Sequence, residues 1–217
     1  MAKQRARQRA SAPSQPRRAP LRPLWPFLAV AIAVPILVAF AVSRTLGGGT
    51  AQNQANVLAA APDLASKATI DSIPCESMER VTYHVHAHLA VFVDGQPRVI
   101  PAGIGIAAPR QVQNTANGPF VATGACFYWL HTHTPDGVIH IESPEPTPFT
   151  LGQFFDIWQQ PLTAGQVGPA QGTITAYVNG ERFTGALREI PLAAHALIQL
   201  DVGQDVPPQA FTFPAGL

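Results

Sequence analysis

Charge is scarce in this chain of 217 residues: 12% of its side chains are Asp, Glu, Lys or Arg, against 47% apolar. That balance excludes a disordered acidic or basic tail protein, which combines low hydrophobicity with high charge. Acids are absent from residues 1–44, which hold eight of the fourteen Lys and Arg residues. The remainder carries six bases against thirteen acids, a net charge of −7, so no nucleic-acid partner is expected for the folded part. Methionine is limited to Met1 and Met78, which argues against a Met-rich Cu(I) site. No nucleophile elbow, phosphate loop or zinc-protease helix motif occurs, so non-metal hydrolase and nucleotide chemistry are disfavoured. No internal repeat is visible.

What is present begins with a basic segment, residues 1–23, that leads into Leu24–Val42, nineteen residues without a charge. At 1.5 Å per residue that run spans roughly 28 Å, close to the hydrocarbon thickness of a bilayer, and reads as a transmembrane helix. Seven positive charges precede it and one, Arg44, follows, which places the N-terminus in the cytoplasm. Ala39-Phe40-Ala41 resembles a signal-peptidase site, but the apolar run is longer than a usual signal-peptide core, so an uncleaved anchor is preferred. The expected protein is a single-pass protein of the cell membrane, with the lipid bilayer as its partner and everything after Val42 extracytoplasmic. Residues 43–74, rich in Gly, Ala, Gln and Asn, predict a flexible linker with one short helix near 56–61.

Residues 75–217 are long enough for one core and are patterned mostly with period two. Val81 to Val93 alternates as a long strand and closes on Asp94-Gly95, a strong hairpin signal. A second hairpin is expected around Thr-Pro-Asp-Gly at 134–137, a third around Asn179-Gly180, and a last strand at 195–202. One helix is convincing: Thr150 and Gln153 form a capping box, and Leu151, Phe154, Phe155 and Trp158 share a face before Pro161. The expectation is a mainly β domain, a β-sandwich or small barrel, with one packed helix.

Cys75 and Cys126 are the only cysteines, and an oxidising compartment favours a disulfide between them. Six of the seven histidines fall in two short segments. Alternation puts His84, His86 and His88 on one face of the first strand, opposite the apolar row of Val85, Ala87, Leu89 and Val91. His131, His133, His140 and Glu142 share a face of the second hairpin. A turn centred on Pro135-Asp136 would set His140 opposite His131, and one centred on Asp136-Gly137 would set it opposite His133. Imidazoles at i and i+2 on a strand lie about 6.6 Å apart at Cα and can converge on one ion, whereas i and i+4 lie roughly 13 Å apart. The expected ligand pool for Zn or Cu(II) is therefore His86, His88, His131, His133 and His140, with His84 and Glu142 as further candidates. His86 and His88 are preferred to His84 because they lie deeper in the strand. Glu142 is also a candidate general base on metal-bound water. Affinity should fall as pH drops through about 6.5, the free histidine value. His195, isolated before the last strand, reads as structural.

The stretches Tyr83-His-Val-His-Ala-His-Leu, Ile104-Gly-Ile, Cys126-Phe-Tyr-Trp-Leu-His-Thr-His, Gly137-Val-Ile-His-Ile-Glu-Ser-Pro and Phe149-Thr-Leu-Gly-Gln-Phe-Phe-Asp-Ile-Trp resemble those of an uncharacterised family of bacterial and archaeal membrane-anchored, exported proteins. The resemblance implies export and a histidine-rich site and supplies no reaction. The order of His-x-His and a later His is also similar to that of cupins, whose carboxylate after the His pair would here have to be Asp94. Three functions stay open: a metal-binding protein without chemistry, a metalloenzyme activating water or dioxygen, and a pH-sensing interaction module.

Overall fold

The long alternating run at 81–93 forms the longest strand among the described residues, Tyr83–Val93. The computed structural model describes residues 56–116 and 118–217. The basic segment, the expected membrane helix and the first part of the expected linker lie outside the described residues. No helix among the described residues is long and apolar enough to cross a membrane.

The elements in chain order are β1 (Cys75–Glu76), β2 (Tyr83–Val93), β3 (Gln96–Arg98), β4 (Gln111–Thr115), β5 (Gly118–Thr123), β6 (Phe127–Tyr128), β7 (Leu130–His131), β8 (Val138–Ser143), α1 (Leu151–Trp158), β9 (Leu162–Thr163), β10 (Gln166–Val167), β11 (Ala170–Gln171), β12 (Ile174–Val178), β13 (Glu181–Phe183), a 3-10 turn at Leu187–Glu189, and β14 (Leu197–Val202). The domain is mainly β with one α-helix. One seven-stranded sheet runs in the order β13-β12-β14-β2-β8-β7, with β3 also paired to β2. The other strands form β1-β6, β4-β5 and β9-β10-β11. Where a sandwich or small barrel was expected, the strands divide into one large sheet and three small ones. Six of the fourteen strands are only two residues long, too short to build a second large sheet.

Turn chemistry sets the hairpins. Asp94-Gly95 and Asn179-Gly180 both carry positive φ at each residue (50° and 75°, 53° and 82°), as a two-residue type I′ turn requires. The middle of the sheet is less local: β14 runs parallel to β2, pairing Leu197 with His88 through Val202 with Val93. Parallel neighbours need a long crossover, supplied here by everything between Asp94 and Ala196.

Period two assigns the faces. Ala87, Leu89 and Val91 of β2, Ile139 and Ile141 of β8, and Ile198 and Leu200 of β14 are buried in one core with Phe154, Phe155 and Trp158 of α1. That helix starts as expected, with the Gln153 amide donating to Thr150 Oγ1 (3.4 Å) and the Thr150 amide donating to Gln153 Oε1 (3.0 Å). It stops at Gln159, which takes a left-handed conformation.

Residues 56–74, expected as linker, belong to the domain. Leu58, Leu64 and Ile73 are buried in the core, and Trp158 Nε1 donates to the Ala60 carbonyl at 3.0 Å. Leu58 and Asn56 bracket Val99 through two backbone hydrogen bonds. A turn and an isolated bridge, not a helix, occupy 56–61. The apolar anchors of this stretch follow no helical or strand period, so its Ala, Gln and Asn content masked them.

Candidate metal centre

Antiparallel register builds the site. In the β2–β8 pair His84 faces Glu142 and His86 faces His140, and in the β7–β8 pair His131 faces His140. Directly opposed residues project from the same side of a sheet, so these five side chains share the face away from the apolar core. The hairpin turn therefore follows the Pro135-Asp136 alternative. Gly105 (φ 71°) lets the preceding loop approach β7, since a Cβ there would lie 2.1 Å from the Leu130 carbonyl oxygen. His133, just beyond β7, stacks on Phe120 with ring centroids 4.4 Å apart.

Hydrogen bonds fix two of the imidazoles. His131 Nδ1 lies 2.9 Å from the Tyr128 carbonyl oxygen, and His133 Nδ1 lies 2.6 Å from that of Val121. A carbonyl only accepts, so each Nδ1 donates, and in the neutral ring Nε2 presents the lone pair. Those two Nε2 atoms stand 3.1 Å apart. With both rings neutral neither can donate to the other, so the contact calls for a cation: a metal ion between or beside them, or a proton on one Nε2. Around them lie Glu79 Oε1, 3.3 Å from His133 Nε2, and Glu142 Oε1, 3.8 Å from His131 Nε2 and 3.4 Å from His140 Nδ1.

These spacings suit one ion. Four ligands at the Zn–N distance of about 2.0–2.1 Å around a tetrahedral centre lie about 3.3 Å from one another. His131, His133, His140 and Glu142 are all buried and together could hold a metal ion, each offering one ligand atom within 4.8 Å of the others. A second set, His84, His86 and His140, meets the same limit and shares His140. Glu142 Oε2 is buried and has no hydrogen-bond partner.

Burial keeps three of the rings, His86, His131 and His140, neutral. Burial, reinforced by neighbouring histidines, lowers His86 and His140 to about 3, and burial drives His131 well below the ordinary histidine value. Burial and the nearby Glu79 charge raise Glu142 above the usual carboxylate range, while a hydrogen bond with His133 holds Glu79 below it.

The expected ligand pool is thus gathered with one exchange. His86, His131, His133, His140 and Glu142 come together, and His84 joins them, its Nε2 3.0 Å from Glu142 Oε1. His88, preferred to His84 on depth in the strand, turns away: it faces Val138, its Nε2 donates to the Asp136 carbonyl oxygen at 3.0 Å, and its ring stacks on Phe211. Glu142, the candidate base, lies inside the cluster in a ligand's position. Asp94, the carboxylate a cupin pattern would need, sits in the turn at the far end of β2, outside either set. His195 is held by the Leu217 carbonyl and Phe213. Glu79, not singled out from the sequence, reaches the cluster from the loop after β1. Cys75 and Cys126 form a disulfide, and Cys75 pairs with Tyr128, which brings that loop beside His131.

Fold and site define a mainly β protein with a buried histidine–glutamate cluster able to hold a metal ion. Comparison with protein-family models, curated proteins and solved structures returned no match.

Proposed function

We propose that the protein is a membrane-anchored, extracytoplasmic binder of a divalent transition metal, Zn(II) or Cu(II). The observation that carries this reading is the facing pair of Nε2 atoms on His131 and His133, 3.1 Å apart with both Nδ1 atoms committed to carbonyls, beside His140 and Glu142. A proton on His133 beside Glu79 would also relieve that contact; the convergence of Glu142 and His140 on the same buried pair is what favours a metal ion. Imidazole and carboxylate donors match Zn(II) and Cu(II), and the one methionine among the described residues, Met78, is exposed. The disulfide supports an oxidising compartment, and the uncharged run Leu24–Val42 after a basic segment supports an anchor with its N-terminus inside. The resemblance to exported, membrane-anchored proteins points the same way.

The test is metal content. The full chain in detergent, stripped with chelator, reloaded with Zn(II) or Cu(II) and dialysed exhaustively, should retain metal stoichiometrically. His131→Ala and His133→Ala should lose it, and His88→Ala and His195→Ala should keep it. Equal, negligible content in all five proteins would leave the pH-sensing module as the better account.

A further inference from the structure

The cluster offers more donors than one ion can use. Five imidazoles and the carboxylates of Glu79 and Glu142 converge, whereas Zn(II) takes about four ligands. We propose that it is a binuclear centre, holding two divalent ions with Glu142 bridging them; this rests on the metal-binding reading above.

The donor distances divide into two sets. One ion lies among His131 Nε2, His133 Nε2 and Glu79 Oε1, whose separations are 3.1, 3.3 and 4.0 Å. The other lies among His84, His86 and His140, with His86 Nε2 3.2 Å from His140 Nδ1. A nitrogen lone pair serves one ion, so His140 goes to the second set through Nδ1, and Glu79 takes its place in the first. Glu142 stands at the junction: its Oε1 is 3.8 Å from His131 Nε2 on one side, and 3.0 and 3.4 Å from His84 Nε2 and His140 Nδ1 on the other. Oε1 thus faces both sets and can bridge through one atom, and the buried Oε2, without a hydrogen-bond partner, leaves the carboxylate a second donor. Carboxylate-linked ions sit about 3.5–4 Å apart, a separation compatible with sets on neighbouring strands, since His140 of β8 is opposed by His131 on one side and His86 on the other. Two dications outweigh two carboxylates, and a small anion from solvent balances the excess on the side where the Glu79 side chain is 32% exposed.

The full chain in detergent, metal-free and then titrated with Cu(II), tests this through bound copper per chain and quantitative electron paramagnetic resonance. Two ions per chain are expected, with resonance intensity well below the copper content because bridged spins couple. His84→Ala combined with His86→Ala should bind one ion and give its full intensity. Should that pair of changes unfold the domain by circular dichroism, His84→Ala alone decides, because the His84 side chain is 35% exposed and removable without opening the core; it should weaken only the second equivalent. A parent that binds one ion overturns the binuclear centre and leaves the proposed function standing. Two ions at full, uncoupled intensity, or a second equivalent indifferent to His84→Ala, overturn it as well. A parent that binds none overturns both.

Discussion

Glu79 Oε1 lies 3.3 Å from His133 Nε2, a contact between two loops made neighbours by the Cys75–Cys126 bridge. Because that hydrogen bond holds its carboxyl below the usual carboxylate range, Glu79 is an anion at neutral pH, and Glu79→Gln removes a charge and not merely a donor. The substitution should weaken metal binding by about ten-fold or more while leaving the fold intact, since the side chain is partly exposed. Competition against a chromophoric chelator at pH 7 measures the change. An affinity equal to the parent's would remove Glu79 from the site.

Acid should destabilise the metal-free protein early. His86 and His140 titrate at about 3 in the fold, against about 6.5 in the unfolded chain. Below pH 6.5 the unfolded state therefore binds protons that the native state refuses, and stability falls with falling pH until the native rings charge near 3. Each such ring contributes about 1.4 kcal/mol per pH unit within that window, and His131 adds to the same trend. Glu142, raised by burial, acts in the opposite sense between its elevated value and the free carboxylate value, one group against three histidines. Urea unfolding of chelator-treated protein across pH 7.5 to 4.5 reads it out, and a flat or rising stability would refute neutral, buried rings. The rings of His86, His131 and His140 are held proton-free below pH 6.5, so metal binding through them should persist to lower pH than the free histidine value.

Periodicity and turn chemistry made much of this legible in the sequence. Strand β2, the Asp94-Gly95 and Asn179-Gly180 turns, the capped helix at 151–158 and the shared face of His131, His140 and Glu142 all follow from local spacing. What local spacing cannot supply is register between distant strands. Whether His84 or His88 joins the cluster depends on β8 pairing His84 with Glu142 and His88 with Val138, an offset set by the whole β2–β8 contact. A depth rule chose the wrong one. Parallel β14, the packed segment around Leu58 and Leu64, and the arrival of Glu79 are likewise non-local.

The disulfide should matter to stability and to the site together. It closes a separation of 51 residues, for which loop entropy gives about 4 kcal/mol, an upper figure because native strain and residual structure subtract from it. Cys75→Ser with Cys126→Ser should lower the urea midpoint accordingly and, by freeing the loop that carries Glu79, weaken metal binding. A variant with parental midpoint and parental affinity would show that β1 and its loop are held by other contacts.

Topology is the remaining expectation, and it rests on the sequence before the described residues. Seven positive charges ahead of Leu24–Val42 and one after it would orient a membrane segment with the N-terminus inside, and Cys75, Cys126 and the histidines would then lie in the compartment where disulfides persist. Protease added to intact spheroplasts should remove the domain and leave an anchored N-terminal fragment. Replacing Arg5, Arg7, Arg9, Arg17 and Arg18 with Ser should erode the orientation and yield a protected fraction, since positive charge near the span sets its direction. Domain protected in spheroplasts of the unmodified chain, under conditions that cleave an external marker, would overturn the topology. It would also leave the bridged cysteines without the oxidising surroundings that account for them.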